Sequence, residues 1–365
     1  MMDGMLLKSL REERGLSLEA VGRAIGADRQ TVWKWETGRR KISPYYRQKL
    51  EEFFEEDMKR RAALKMIGAT AVGGAVMTLG GSDLYAIGRL ALKGGWTELD
   101  RDMKTVENAI SSLLPKLTGE ALSGSDEAAA LAVEACLLRA TIAKHALDYR
   151  ASVYYRGEAV TLSQFTSDSM LRAAALAYKA CWLVQGNIRR PQEAINIYKN
   201  ALHFVGESPS LMYSDILGEM AEAYAMLQDE ENAMRCIERS AQTYPKRPEL
   251  DPAYTYGDYP PSLLWQWYAK VHMHLGNFRQ AEEALRKSEQ SAPTRRGECE
   301  NAILRAACAA GTNDLDTFVY NMKIGVRLAQ ELKSEHRKQL AKDVVASAPD
   351  RWLSEKQVQE VKELL

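Results

Sequence analysis

The chain lacks a glycine-rich phosphate loop of either common spacing, a C-x-x-C pair and any apolar run of membrane-spanning length. From about Ser125 onward it is also almost free of strand signals. These absences exclude the common nucleotide-binding loops, zinc ribbons and a spanning helix, and they favour an all-α fold. The five cysteines, Cys136, Cys181, Cys236, Cys299 and Cys308, form an odd set in helix-like apolar contexts. They read as reduced core thiols of a cytoplasmic protein. Five histidines include one H-x-H, His272 and His274, but residues two apart on a helix point to different sides. No metal site follows from them, and no Ser or Cys nucleophile has an identifiable His and acid set, so neither enzyme activity nor a cofactor is expected. The amino terminus, MMDGMLLKSLREERG, has no signal-peptide hydrophobic region, and secretion from that end is not expected.

What is present is 365 residues, 46% hydrophobic and 27% charged, enough for two or three domains with real cores. Basic and acidic residues balance at 49 each, but unevenly along the chain. Residues 1–65 carry about 15 basic and about 11 acidic groups, so the amino-terminal part is mildly basic and the rest mildly acidic. The sharpest local excess is RQTVWKWETGRRK, Arg29 to Lys41, where with Arg47 six basic groups face a single opposing carboxylate, Glu36.

Around that run the apolar spacing resolves into short helices. Leu6, Leu7 and Leu10 share a face of a first helix ending near Gly15. Ser17 can cap a second, with Leu18, Val21 and Ile25 at helical spacing. Gly26 breaks it, and Asp28 is placed to cap a third running from Arg29 to about Thr37. Val32 and Trp35 then face inward, leaving Arg29, Gln30, Trp33 and Lys34 outward. Two helices joined by a short turn containing Gly make a helix-turn-helix. An exposed second helix with these side chains can enter a major groove, where Gln reads adenine and Arg reads guanine. Arg39, Arg40 and Lys41 lie past the Gly38 stop, in reach of phosphates. Ser43-Pro44 begins a fourth helix, whose Leu50, Phe53 and Phe54 close a small core.

LSLEAVGRAIGADRQTVWKWETGRRKIS, within residues 5–56, resembles the XRE-type, lambda-repressor-like helix-turn-helix. The resemblance implies that Arg29, Gln30 and Lys34 read bases and that Ser17, Thr31, Arg39 and Arg40 touch the DNA backbone. Trp33 departs from the family's usual small or polar residue. Stacking on the DNA backbone, a thymine methyl contact and packing on the adjoining loop are all open to it.

Residues 58–95 form a joint, basic at first and then rich in Gly and Ala. Arg60-Arg61 ahead of an apolar run looks like a twin-arginine export signal without its usual Phe, but it sits behind a folded head, which argues against export. A flexible hinge, an apolar segment packed on the helices or on a dimer partner, and a weak membrane contact are the states open to it.

Beyond the joint, anchors of a tetratricopeptide-like repeat can be aligned. One set is Ala221, Tyr224, Ala233, Ile237, Ser240 and Pro245; another is Trp265, Ala269, Gly276, Ala281, Leu285, Ser288 and Pro293. Weaker copies centre on Ala151 with Tyr155 and on Ala194 with Tyr198 and Ala201, with a degenerate one near Asp316–Ala329. A Pro- and Tyr-rich insertion, TYPKRPELDPAYTYGDYPPS, separates the two best copies, and residues 335–365 read as an amphipathic capping pair around Ala348-Pro349. Stacked pairs of this kind form a superhelix with a concave surface. By the resemblance that surface presents Asp215, Glu222, Met226, Gln266, Lys270 and Met273, groups suited to an extended peptide or a helix.

The expectation is therefore an all-α chain: a head over residues 1–57, the joint over 58–95, and a tetratricopeptide-like solenoid over 96–365. The combination resembles bacterial peptide-responsive regulators of the RRNPP type. It implies a cytoplasmic, homodimeric transcription regulator that binds a double-stranded operator, with the array taking a peptide or protein partner and no membrane role. The alternative is a protein-interaction scaffold in which DNA binding is secondary.

Overall fold

The computed structural model describes residues 2–13, 16–73, 81–99, 102–186, 189–206, 209–251, 260–291 and 294–365. Gly15, Pro293, residues 252–259 of the insertion and residues 74–80 of the joint lie outside the described residues. Among those described there is no strand. No described helix is long and apolar enough to cross a membrane.

Helices α1 (Gly4–Glu13), α2 (Leu18–Ile25), α3 (Arg29–Glu36) and the first half of α4 (Pro44–Gly73) build the head. Its core is Leu7, Val21, Ile25, Val32, Trp35, Leu50 and Phe54, with Leu10 and Phe53 packed at its edge. Leu6 is exposed instead of joining Leu7 and Leu10, because one helical residue turns it off the buried seam. The turn between α2 and α3 depends on Gly26, whose φ of 72° lies in the left-handed region that favours glycine.

Helix α4 does not stop with the head. Its 30 residues span about 45 Å. Its second half buries Ala63, Leu64 and Ile67 on the array side, where α4 packs against α5 (Gly81–Glu98) and α6 (Met103–Leu122). Gly94 of α5 lets the two helices approach: a Cβ there would stand 3.0 Å from Leu64 and 3.2 Å from the Arg60 carbonyl oxygen. Of the states open to the joint, Ala63, Leu64 and Ile67 adopt the packed one.

The remaining helices pair in sequence. The hairpins are α7 (Asp126–His145) with α8 (Tyr149–Leu162), α9 (Ser169–Gln185) with α10 (Pro191–Val205), α11 (Leu211–Met226) with α12 (Glu230–Thr243), α13 (Pro261–His274) with α14 (Phe278–Gln290), and α15 (Arg295–Thr312) with α16 (Leu315–Glu331). Helices α17 (Glu335–Ala346) and α18 (Lys356–Leu364) follow, burying Val345, Val358 and Val361.

The fourth residue of each hairpin's second helix sets the repeat register. It is Ser152, Ala194, Ala233, Ala281 and Phe318 in turn, each essentially inaccessible to solvent. This corrects the alignment of one copy. The first is anchored on Ser152, Arg156 and Ala159 instead of Ala151 and Tyr155, while the last, anchored on Phe318, Met322 and Gly325, lies within the Asp316–Ala329 stretch expected for it. The cause is local: Asp148, Asp229 and Asp314 cap these helices four residues ahead of the anchor. In four of the hairpins, Leu147, Gln228, Gly276 and Asn313 take positive φ just before the capping residue, as Lys333 does before Ser334 of α17. Buried serines tie one helix to its partner: Ser152 Oγ donates to the Ala140 carbonyl at 2.9 Å, and Ser288 Oγ to that of Ser262 at 2.9 Å.

The stack winds far enough to meet itself. His145 Nδ1 at the end of α7 lies 3.0 Å from Ser334 Oγ, the N-cap of α17, although 189 residues separate them. Close approach between hairpins relies on small residues, as at Gly218, where a Cβ would stand 2.3 Å from the Trp267 ring. Gly218→Ala is therefore expected to destabilise the array by about 1–3 kcal/mol despite alanine's better helix propensity, read as a lower melting temperature with helical circular dichroism retained.

Candidate nucleic-acid interface and repeat interior

The exposed face of α3 carries Arg29, Gln30, Trp33 and Lys34, while Val32 and Trp35 of the same helix are buried. The four outward side chains, with Leu18, line a shallow depression of about 330 Å³. Both helices of the motif are capped as their sequences dictate. Ser17 Oγ accepts from the Ala20 amide at 3.0 Å, and Asp28 accepts from the Thr31 amide at 2.8 Å and the Thr31 hydroxyl at 2.7 Å. Those Thr31 hydrogen bonds hold the Asp28 carboxyl below its usual range.

Trp33 has a specific neighbour. The Arg39 guanidinium lies over its ring, 4.5 Å from the centroid, and the Thr37 hydroxyl donates to the Trp33 carbonyl at 2.8 Å. Trp33 thus packs on the adjoining loop, and this contact orders a cation that would otherwise be loose. Arg40 is exposed and its amide donates to the Lys34 carbonyl at 3.1 Å. Arg29 is paired with Glu19 of α2 at 2.9 Å, a contact that a base edge would have to displace.

Glu36 does not oppose the basic run. It turns inward, 4% exposed, and accepts two hydrogen bonds from Arg11 of α1, at 2.6 Å from Nε and 2.8 Å from Nη2. Arg11 Nη1 also donates to the Leu16 carbonyl at 3.0 Å, so one guanidinium ties α1, α3 and the segment before α2 together. This bidentate pair escaped sequence reasoning because 25 residues separate its members and nothing in the local pattern couples them.

The six groups assigned to a concave groove do not form one open surface. Asp215, Glu222 and Gln266 are buried, and Met226, Lys270 and Met273 are half-buried, both methionines packed against core clusters. The inner polar groups face each other instead. Gln266 Nε2 donates to Asn301 Oδ1 at 2.9 Å and to the Gly297 carbonyl at 3.1 Å, and Glu222 faces Lys270 at 3.6 Å and His274 at 3.8 Å. Burial pushes the Glu222 carboxyl up, but Lys270 and His274 outweigh it and hold it at about 2. The reason is the winding of the stack, which brings α17 against α7 and narrows the axis.

At that closure Arg337 Nη2 donates to Glu300 at 2.7 Å, and the rings of His145 and His336 sit 6.2 Å apart. Burial, and then the fields of Arg337, Arg296 and Lys144, push His145 well below its usual range. Burial together with Lys144, Arg337, Lys270 and Arg156 holds His336 at about 2. All five cysteines are free thiols, and burial pushes Cys136 up to about 12 and Cys236 to about 11. Among the described residues no group of three or more His, Cys, Asp and Glu side chains is arranged to hold a metal ion.

Arg11→Met leaves the buried Glu36 carboxylate unpaired and is expected to cost about 3 kcal/mol, seen as faster hydrogen exchange of the α1 and α3 amides. A second expectation concerns acid. Both histidines have folded values below the unfolded 6.5, so the unfolded chain binds the extra protons and stability falls as pH drops below about 6.5. Glu222 continues the loss between about pH 4.5 and 2. Melting temperatures from pH 7.5 to 5 should decline, and more shallowly in His336→Asn.

A family model described as a helix-turn-helix domain matches residues 4–46. No curated protein matches the sequence. Among solved structures, the crystal structure of the P58(IPK) TPR domain aligns with 88% of this chain and 92% of its own at 13% identity, with a TM-score of 0.23. That superposition is too loose to define the architecture, which the hairpins define directly. Among the described residues the chain is all-α, with a helix-turn-helix head and a stack of helix hairpins behind it.

Proposed function

We propose that the protein is a sequence-specific DNA-binding transcription regulator of the cytoplasm, acting as a homodimer on a pseudo-palindromic operator, with the array as its sensing and oligomerising part for a peptide or protein partner. The observation that carries this reading is the outward face of α3. Gln30 and Lys34 stand exposed there, their side chains turned to solvent, beside an Arg39 ordered on Trp33. Gln30, Lys34 and Arg29 would read base edges, and Ser17, Thr31, Arg39 and Arg40 would engage the backbone. In a dimer two such helices would sit about 34 Å apart, in successive major grooves.

Helix α4 supports the coupling. It is shared by the head core and the array core, so a change in how the array packs on α4 would move the head as a body. A partner can act only through different affinities for array states that hold the two heads at compatible or incompatible separation.

Selection of genomic fragments by the purified protein is expected to enrich an inverted repeat. Gln30→Ala with Lys34→Ala should weaken and relax binding to it, by about 1–3 kcal/mol per base-reading side chain, whereas Arg39→Ala with Arg40→Ala should weaken all sequences alike and lower the salt slope by about 2. No enrichment, with weak salt-sensitive binding shared by the variants, would make the protein an interaction scaffold.

A further inference from the structure

The outer face of α3 carries, among its cations and its amide, one large apolar side chain that the head core does not take. Trp33 is 38% exposed, whereas Trp35 of the same helix is sealed inside. Arg39 covers one face of the Trp33 ring, 4.5 Å from the centroid, and does not line the neighbouring depression. The rest of the indole does line it, opposite the half-buried Leu18 that begins α2, together with Arg29, Gln30 and Lys34. The hollow of about 330 Å³ therefore has apolar walls from two helices and a rim of two cations and an amide.

Two kinds of lining ask for two kinds of group in one occupant. A phosphate would satisfy the cations but gain nothing from Leu18 and an indole. A base edge satisfies Gln30 and the cations, and among the groups that base pairs present in the major groove the C5-methyl of a pyrimidine is the apolar one. Position agrees with this. Gln30 and Trp33 are three residues apart on α3 and so are neighbours on one face, with about 5–6 Å between their Cβ atoms. That is less than two base-pair steps of about 3.4 Å. An adenine held by Gln30 and a methyl held against Trp33 would thus lie within about two base pairs of each other.

We propose that Leu18 and Trp33 form a methyl socket: with α3 in a major groove they receive the C5-methyl of one pyrimidine, thymine or 5-methylcytosine, and make that methyl part of the recognised sequence. Trp33 then works on two sides, seating Arg39 on one and the methyl on the other. This deepens, and rests on, the reading of the head as a sequence-specific DNA binder. Burying one methyl group is worth about a fourfold change in affinity.

The test uses the full chain and synthetic copies of the sequence enriched from genomic fragments. Each thymine is replaced in turn by deoxyuracil, which removes the methyl and keeps the pairing edge, and each cytosine by 5-methylcytosine. At one position of the half-site, uracil is expected to weaken binding about fourfold, or 5-methylcytosine to strengthen it as much. The first result identifies thymine as the source of the methyl, the second a methylated cytosine. The sensitive position should lie within about two base pairs of the adenine at which Gln30→Ala relaxes specificity. Trp33→Ala should bring the ratio of methylated to unmethylated affinity close to one, whereas Arg39→Ala should weaken both sites and leave the ratio as it was. Leu18→Ala should lower the ratio too, and because Leu18 also packs on the head core, Trp33→Ala decides if that variant does not fold. Ratios are measured at low salt, where phosphate contacts keep the variants bound. The socket is overturned, with sequence-specific binding left standing, if no replacement changes affinity beyond about twofold, less than the fourfold of a buried methyl. It is also overturned if the sensitive position lies farther from that adenine or keeps its ratio in Trp33→Ala. Absence of any enriched sequence overturns the DNA-binding reading and the socket with it.

Discussion

Helix α4 belongs to two cores at once, and the organisation of the chain follows from that sharing. Leu50 and Phe54 fill the head, while Leu64 and Ile67, a few turns on, are sealed against α5 and α6. A helix backbone is stiff over this length, because bending it breaks consecutive hydrogen bonds. The head therefore inherits its position from the array. Gly94, by allowing α5 to lie against Arg60 and Leu64, and the Lys93–Glu56 pair at 3.1 Å hold the second half of α4 in place.

The head itself is organised by burial on one side of α3 and charge on the other. Arg11 and Glu36 take the one carboxylate of the basic run out of the exposed face, leaving the outer surface of α3 and the following loop strongly positive. A hydrogen-bonded ion pair in that position contributes orientation as much as energy, since its two parallel bonds set the angle between α1 and α3. Trp33 acts similarly on the outside, giving Arg39 a fixed seat at the end of the helix.

In the array, each hairpin leaves an apolar face that only its neighbour covers, which is why small residues recur where helices cross. Phe278 against Gly311, Trp267 against Gly218 and Ile303 against Gly325 repeat one solution: a large side chain in a space where the facing residue has no Cβ. Once the winding brings α17 to α7, charged residues of the inner face that would be solvated on an open solenoid must find partners in a narrow interior. Glu300 with Arg337 and Glu222 with Lys270 did so.

Read alone, the amino-acid order specifies the local grammar: helical periods, the capping residues Ser17 and Asp28, the Gly26 turn, the outward set on α3, and the two hairpins anchored on Ala233 and Ala281. These depend on neighbours within a few residues, which spacing and side-chain chemistry encode directly. It also held the register of the first hairpin, in the Asp148 cap four residues before Ser152, though a buried arginine at the next anchor, Arg156, hid it from any apolar pattern. Three-dimensional packing was needed to learn that Glu36 faces Arg11, that α4 runs on into the array, and that the expected groove residues Asp215, Glu222 and Gln266 are enclosed. A helical period tells which face of a helix is buried but not against what. Whether a solenoid stays open or closes on itself depends on small rotations summed over every hairpin, a quantity that no single stretch of the chain contains.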